Sequence, residues 1–167
     1  MNRPDYSYFA EAFQCSQEQF PAELFKSLGD FCKKVLQKFS SQFLQNSADG
    51  IQLSPVRDLL PLEASYQQEF MQVVSEGLGV RSGVWCEWTA TTHVRVDFYI
   101  PQMRWAVELL REGNQASITQ HTAWFMSRDG QYRKWVDDGL IKEWLVVDCR
   151  TCIPEGICQC PFFLQGS

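Results

Sequence analysis

The sequence predicts an α/β domain whose elements run helix, strand, strand, strand, helix, strand, with a helical segment ahead of them. Three observations predict this. Residues 94 to 100 (Val94, Arg95, Val96, Asp97, Phe98, Tyr99, Ile100) alternate apolar and polar side chains, the period of a half-buried strand. From Pro21 onward, Leu24, Leu28, Phe31, Cys32, Val35, Leu36, Phe39 and Phe43 recur at spacings of three and four, with Lys33, Lys34 and Lys38 turned away, the pattern of an amphipathic helix. Near the end, Trp144, Leu145, Val146 and Val147 form an unbroken apolar run, as in a strand covered on both faces.

The first 55 residues read as a separate helical segment. Pro21 suits a first helical turn, and Asn46 to Gly50 breaks the periodicity. Its apolar stripe is packing material for the domain that follows, although a membrane-surface helix shares the same pattern of lysines and aromatics. A second helix is expected from about Pro61 to Leu78, with Tyr66, Phe70, Val73 and Val74 inward and Glu63, Gln67 and Glu69 polar, ending at Gly77 and Gly79. Val84 to Thr92 reads as a strand.

The central hairpin follows. Pro101 ends the first strand, and Trp105, Val107 and Leu109 share a face of the second. Pairing Ile100 with Trp105 places Val94, Val96, Phe98, Ile100, Trp105, Val107 and Leu109 together and sets Arg95, Asp97, Tyr99, Arg104 and Glu108 on the opposite face, with Asp97 across from Glu108. A shift of one residue would scatter the apolar set, so the pattern selects this register. Two carboxylates so placed have Cβ atoms about 5 Å apart and repel. A bound divalent cation would offset that repulsion. The other reading is a solvated face screened by Arg95, Arg104 and Arg111.

After Gly113 a third helix, about Gln115 to Met126, carries His121. A turn at Arg128, Asp129 and Gly130 comes next, and the strand around residues 143 to 148 closes the order. His121 has Ile118 and Phe125 at three and four from it, so from its neighbours it reads first as a core or boundary histidine, with a catalytic helper as the other reading.

A length of 167 residues suits one domain, residues 56 to 151, with the helical segment before it and a cysteine-containing tail, 152 to 167, after it. No apolar run approaches the ~18 residues of a membrane span, and Met1 to Asp5 does not begin a signal peptide, so a soluble, unexported chain is expected. The net charge of -5 argues against a surface generally adapted to nucleic acid, yet Arg81, Arg95, Arg104, Arg111, Arg128, Arg133 and Lys134 outnumber the acids of the central segment. Of the seven cysteines, Cys15, Cys32 and Cys86 stand singly and read as buried thiols. Cys149, Cys152, Cys158 and Cys160 could hold zinc, although the spacing is unlike paired knuckles; the alternative is a tail that is a truncated or unstructured end. No Gly-rich phosphate loop occurs.

Five blocks in order carry a resemblance. They are Leu62 to Phe70, Arg95 to Ile100, Trp105 to Gly113, His121, and Val146 to Thr151. Together they resemble the restriction-endonuclease-like core of the PD-(D/E)XK superfamily, and within it the nuclease-like C-terminal domain of Crinkler-type effector proteins of fungi and oomycetes. The resemblance implies a nuclease that hydrolyses phosphodiester bonds of DNA or RNA with Mg²⁺ or Mn²⁺, held by Asp97 and Glu108 with a further contact from Glu63 or Gln67. It implies nucleic acid as partner and action in a host nucleus. No membrane partner is expected from the apolar runs, and a further reading is a purely structural α/β domain of a larger, NTPase-containing chain or one that serves another protein. The superfamily's lysine, two residues after the second acid, is Leu110 here. Arg95, opposite it in the expected register, is the cation expected to reach the vacated place; as an arginine it would stabilise charge and be a poor base. The departure leaves a second reading open, a degenerate nuclease fold that binds nucleic acid or protein without cutting.

Overall fold

Ser27 decides where the first helix begins. Its backbone is extended, its hydroxyl oxygen accepts the Asp30 N–H at 3.1 Å, and the Asp30 carboxylate accepts the Lys26 N–H in return. Helix α1 therefore spans Leu28–Leu36 and does not start at Pro21, which precedes a short 3₁₀ turn, Ala22–Leu24. Leu24 consequently leaves the stripe and is exposed, whereas Leu28, Phe31, Cys32 and Val35 are buried as the periodicity requires. The structure is a computed structural model and describes residues 20–41, 43, 62–80, 83–90, 94–111, 113–150 and 163–166.

Helix α2, Leu62–Gln72, continues into a wider π-helical turn, Val73–Gly77. The sheet then takes the strands in chain order: β1 Trp85–Trp88, β2 Val96–Ile100, β3 Trp105–Arg111, β4 Glu143–Cys149 and β5 Phe163–Gly166. β1, β2 and β3 are antiparallel neighbours, β4 runs parallel to β3, and β5 lies antiparallel on β4. Part of the tail after residue 152 thus supplies an edge strand, which hydrogen-bonds the side of β4 that β3 leaves open.

A parallel pair needs a crossover, and α3, Gln115–Met126, provides it together with a five-residue helix α4, Arg133–Asp137. Asn114 caps α3 by accepting the Ser117 N–H at 2.9 Å. The short α4 was not expected, because five residues are too few to show a helical period. Between the two, Gly130 packs where any Cβ would collide with the carbonyl oxygens of Ala123 and Trp124. That close approach lets the Tyr132 N–H reach the Trp124 carbonyl at 2.9 Å.

The fold is mixed α/β with a hydrophobic layer on each face of the sheet. In the first layer α1 and α2 meet Phe98, Ile100, Trp105, Val107, Leu109, Leu145 and Val147, with Phe70 stacked on Phe98 at 4.5 Å between centroids. In the second, α3 and α4 meet Tyr99, Ala106, Leu110, Trp144 and Val146, with Phe125 stacked on Trp144 at 4.6 Å. Five of the seven side chains expected together do lie in the first layer. Val94 and Val96 belong to the second. The cause lies in β1, where Glu87, opposite Asp97, has a left-handed φ of 47° and the next residue, Trp88, stacks on Tyr99 at 4.0 Å. Val96, the partner of Trp88, is carried into the same layer.

Candidate active site

The β2–β3 ladder pairs Ile100 with Trp105, Tyr99 with Ala106 and Phe98 with Val107, and then stops one position before Asp97 would face Glu108. The four residues between the strands turn through Arg104, whose φ of 56° closes the loop. Past the last pair, side chains take over the work of the ladder. The Leu109 N–H donates to Asp97 Oδ2 at 2.7 Å, and the Asp97 N–H points to Glu108 Oε1 at 3.4 Å. Each acid therefore accepts from the strand opposite. The two carboxylates meet in an opened gap, which corrects the expectation that they face each other across an intact ladder.

Both layers contribute to this gap. From α2, Gln67 Nε2 donates to Asp97 Oδ1 at 2.7 Å. On the other side, the Tyr132 hydroxyl lies 2.7 Å from Glu108 Oε1 and 2.6 Å from the Arg95 carbonyl oxygen, while His121 Nδ1 stands 3.3 Å from Glu108 Oε2. Trp124 backs the imidazole, its ring centroid 3.8 Å away. Glu63, half-buried on the first turn of α2, completes the group: burial raises its pKa, the nearby His121 lowers it, and Glu108 raises it again.

The electrostatics of the pair are unfavourable as they stand. Glu108 is only 3 % exposed. Burial, and next the charge of Glu108, push Asp97 up to about 8 from an ordinary 3.8. Burial and Glu108 also raise the Tyr132 phenol, so it stays a hydrogen-bond donor. A hard cation fits this chemistry, since carboxylate oxygens are its preferred ligands and its charge would favour both ionised forms. Asp97 and Glu108 would hold it. Among the described residues no three His, Cys, Asp or Glu side chains are gathered as a ready ligand set, so Glu63 acts on the pair at a distance in this conformation.

Three of the residues proposed from the sequence, Asp97, Glu108 and His121, are thus joined by hydrogen bonds, while Glu63 acts on them only through its charge. Arg95 is not among them. Its guanidinium pairs with Glu87 at 3.0 Å in solvent, and only its backbone carbonyl touches the site, through Tyr132. Leu110 is buried in the second layer among aromatic rings, so the place Arg95 was expected to fill is closed to it. The reading of a solvated acidic face also fails on the burial of Glu108; Arg104 reaches instead toward the Gly139 carbonyl, and Arg111 lies over the Tyr66 ring. Tyr132 was missed as a site residue. It stands 24 residues from Glu108, and its sequence signal, an aromatic after a glycine turn, reads simply as core.

Of the cysteines, Cys32 is buried as expected, whereas Cys86 is exposed on β1, an edge strand. Cys149 is buried on β4, its thiol pushed up to about 12 by burial and by Asp148. Cys15, Cys152, Cys158 and Cys160 lie outside the described residues, and with them most of the candidate zinc set. No described helix is long and apolar enough to cross a membrane. Compared with known proteins, the chain matches no family model, no curated protein and no solved structure.

Proposed function

We propose that the chain is a metal-dependent nuclease-like domain of the restriction-endonuclease type, hydrolysing phosphodiester bonds of DNA or RNA at Asp97 and Glu108. One observation carries the reading: a buried carboxyl, Glu108, and a half-buried one, Asp97, converge from adjacent strands where the ladder opens, and the ionisation of Asp97 is opposed by Glu108. Two carboxyls between inner strands of a sheet, one opposing the ionisation of the other, are what a hard cation brings to full ionisation. When bound, Mg²⁺ or Mn²⁺ supplies Lewis-acid polarisation of a phosphodiester and a water acidic enough to attack it. The chain's own residues do the rest: Gln67 and the Leu109 amide orient Asp97, Tyr132 and His121 orient Glu108, and His121 is the group proposed to assist proton transfer. The resemblance to Crinkler-type effector nucleases belongs to this proposal, as do nucleic acid as partner, an accompanying NTPase-containing chain, and action in a nucleus.

A second reading has its own observation. Leu110, at the place of the superfamily's lysine, is sealed into the aromatic layer, and no side chain there can orient water. A fold that keeps the two acids without that cation suits a binding module that has lost cleavage. One experiment separates the readings: calorimetric titration of Mg²⁺ and Mn²⁺ into the wild type and Asp97→Ala, followed by incubation of both with single- and double-stranded DNA and RNA. The nuclease reading expects cation binding and cleavage by the wild type and neither by Asp97→Ala. Binding of nucleic acid without cation binding or cleavage selects the module.

A further inference from the structure

We propose that Tyr132 is a positioning residue for this site, its hydroxyl setting where Glu108 stands relative to Asp97. The proposal rests on the two-carboxylate reading above and assigns a role to a residue outside the five blocks of the resemblance. The hydroxyl lies 2.7 Å from Glu108 Oε1 on β3 and 2.6 Å from the carbonyl oxygen of Arg95, two residues before Asp97. The phenol has one proton for these two acceptors, so it serves them in turn or shares it between them. It stands between the chain that carries one acid and the side chain of the other, across the gap where backbone pairing has ended.

The tether is rigid. The Tyr132 side chain is almost fully buried, its ring 4.6 Å from Phe125 and 5.3 Å from Trp135 between centroids, with the edge of Trp124 at 5.8 Å. Its amide is held by the Trp124 carbonyl, on the same helix as His121. The remaining direct link between the two acids, Asp97 N–H to Glu108 Oε1, is long at 3.4 Å. A neutral hydroxyl on a fixed ring holds the Glu108 carboxyl beside Asp97 without adding a charge to the site. Partners that orient metal-binding side chains in this way typically alter affinity or activity by about 10–100-fold when removed.

Tyr99 offers a matched control. Its hydroxyl also makes one 2.6 Å bond to a backbone carbonyl, that of Leu140, within the same aromatic layer and away from both acids. Calorimetry with Mn²⁺ alone, steady-state cleavage of an oligonucleotide, and thermal melting are to be compared for the wild type, Y132F and Y99F. Each variant keeps its ring and loses one buried hydroxyl. Y132F is expected to bind Mn²⁺ at least about tenfold more weakly and to lose kcat with KM unchanged, whereas Y99F melts lower but binds Mn²⁺ as the wild type does. Equal Mn²⁺ affinity of Y132F and wild type, or equal weakening in both variants, overturns the assignment. A wild type that neither binds Mn²⁺ nor cleaves overturns the two-carboxylate reading itself and removes what Tyr132 would position; that failure is visible before any variant is compared.

Discussion

Two carboxylates among the described residues are buried as charged side chains, and the protein treats them differently. Asp148, at the end of β4, accepts the Gly113 N–H at 2.8 Å and pairs with the Arg150 guanidinium at 2.5 Å, while Arg150 also reaches the Gly113 carbonyl. The cluster is closed: charge meets charge, and the loop between β3 and α3 is pinned. Glu108, 3 % exposed on β3, has instead a second acid as its neighbour, and the groups that bond the two are an amide side chain, a phenol, backbone N–H groups and an imidazole. A buried charge that holds a fold together brings its own counter-charge. One that leaves its charge unanswered is arranged for something that arrives from outside.

The sharpest way to break that contrast is to remove each carboxylate in turn. Asp148→Ala should lower stability by about 3 kcal/mol, toward the low end for breaking a buried pair, because Arg150 keeps a quarter of its side chain in water. Asp97→Asn, which relieves repulsion and retains an acceptor for the Leu109 amide, should leave the melting temperature in EDTA at pH 8 unchanged or higher. A fall as large as that of Asp148→Ala would place both clusters in the same structural class.

A smaller effect is expected from pH. With Asp97 raised to about 8 in the fold against about 3.8 unfolded, the folded chain keeps a proton that the unfolded chain releases. That contribution to stability is full below pH 4 and is lost as pH rises through 8. Denaturant melts in EDTA should therefore show declining stability between pH 4 and 8, and Mg²⁺ should restore most at the alkaline end, where the ionised pair is commonest. A flat profile, or Mg²⁺ stabilisation that weakens with rising pH, would count against an open charge at this site.

The smallest change belongs to Arg95. Its pair with Glu87 is exposed on both sides, so Arg95→Ala should alter stability by no more than about 1 kcal/mol and cleavage by no more than about twofold. A hundredfold loss of cleavage would return Arg95 to the catalytic group.

The register of the central hairpin was legible because Pro101 and a one-sided run of apolar residues leave a single pairing that buries them together. The acids followed from that register. What hid the opened gap is that its bonds run through side chains between distant residues, and no periodicity records them. The slip of Val96 to the other layer was hidden for a related reason: it follows from a left-handed Glu87, a residue type with no preference for that conformation. The true start of α1 was readable in Ser27 and Asp30, yet Pro21 and Leu24 extended the apparent period upstream. Arg95 was misplaced because sheet pattern sets the side from which a long side chain departs and says nothing of the partner it finds.

The opened gap has a bearing on how the chain acquires its shape. The β2–β3 hairpin closes over a four-residue turn, whereas the bonds that define the gap's walls join residues 30, 24 and 37 apart. Loop closure costs more entropy as the span grows, so chain statistics favour the hairpin first and the walls only once α2 and the crossover have docked. In the early hairpin nothing yet draws Asp97 toward Gln67 or Glu108 toward Tyr132, and the two strands are free to continue their pairing beyond Phe98 and Val107. On that order the site is the last part of the sheet to be fixed, set only when α2, carrying Gln67, and the crossover, carrying Tyr132, have docked.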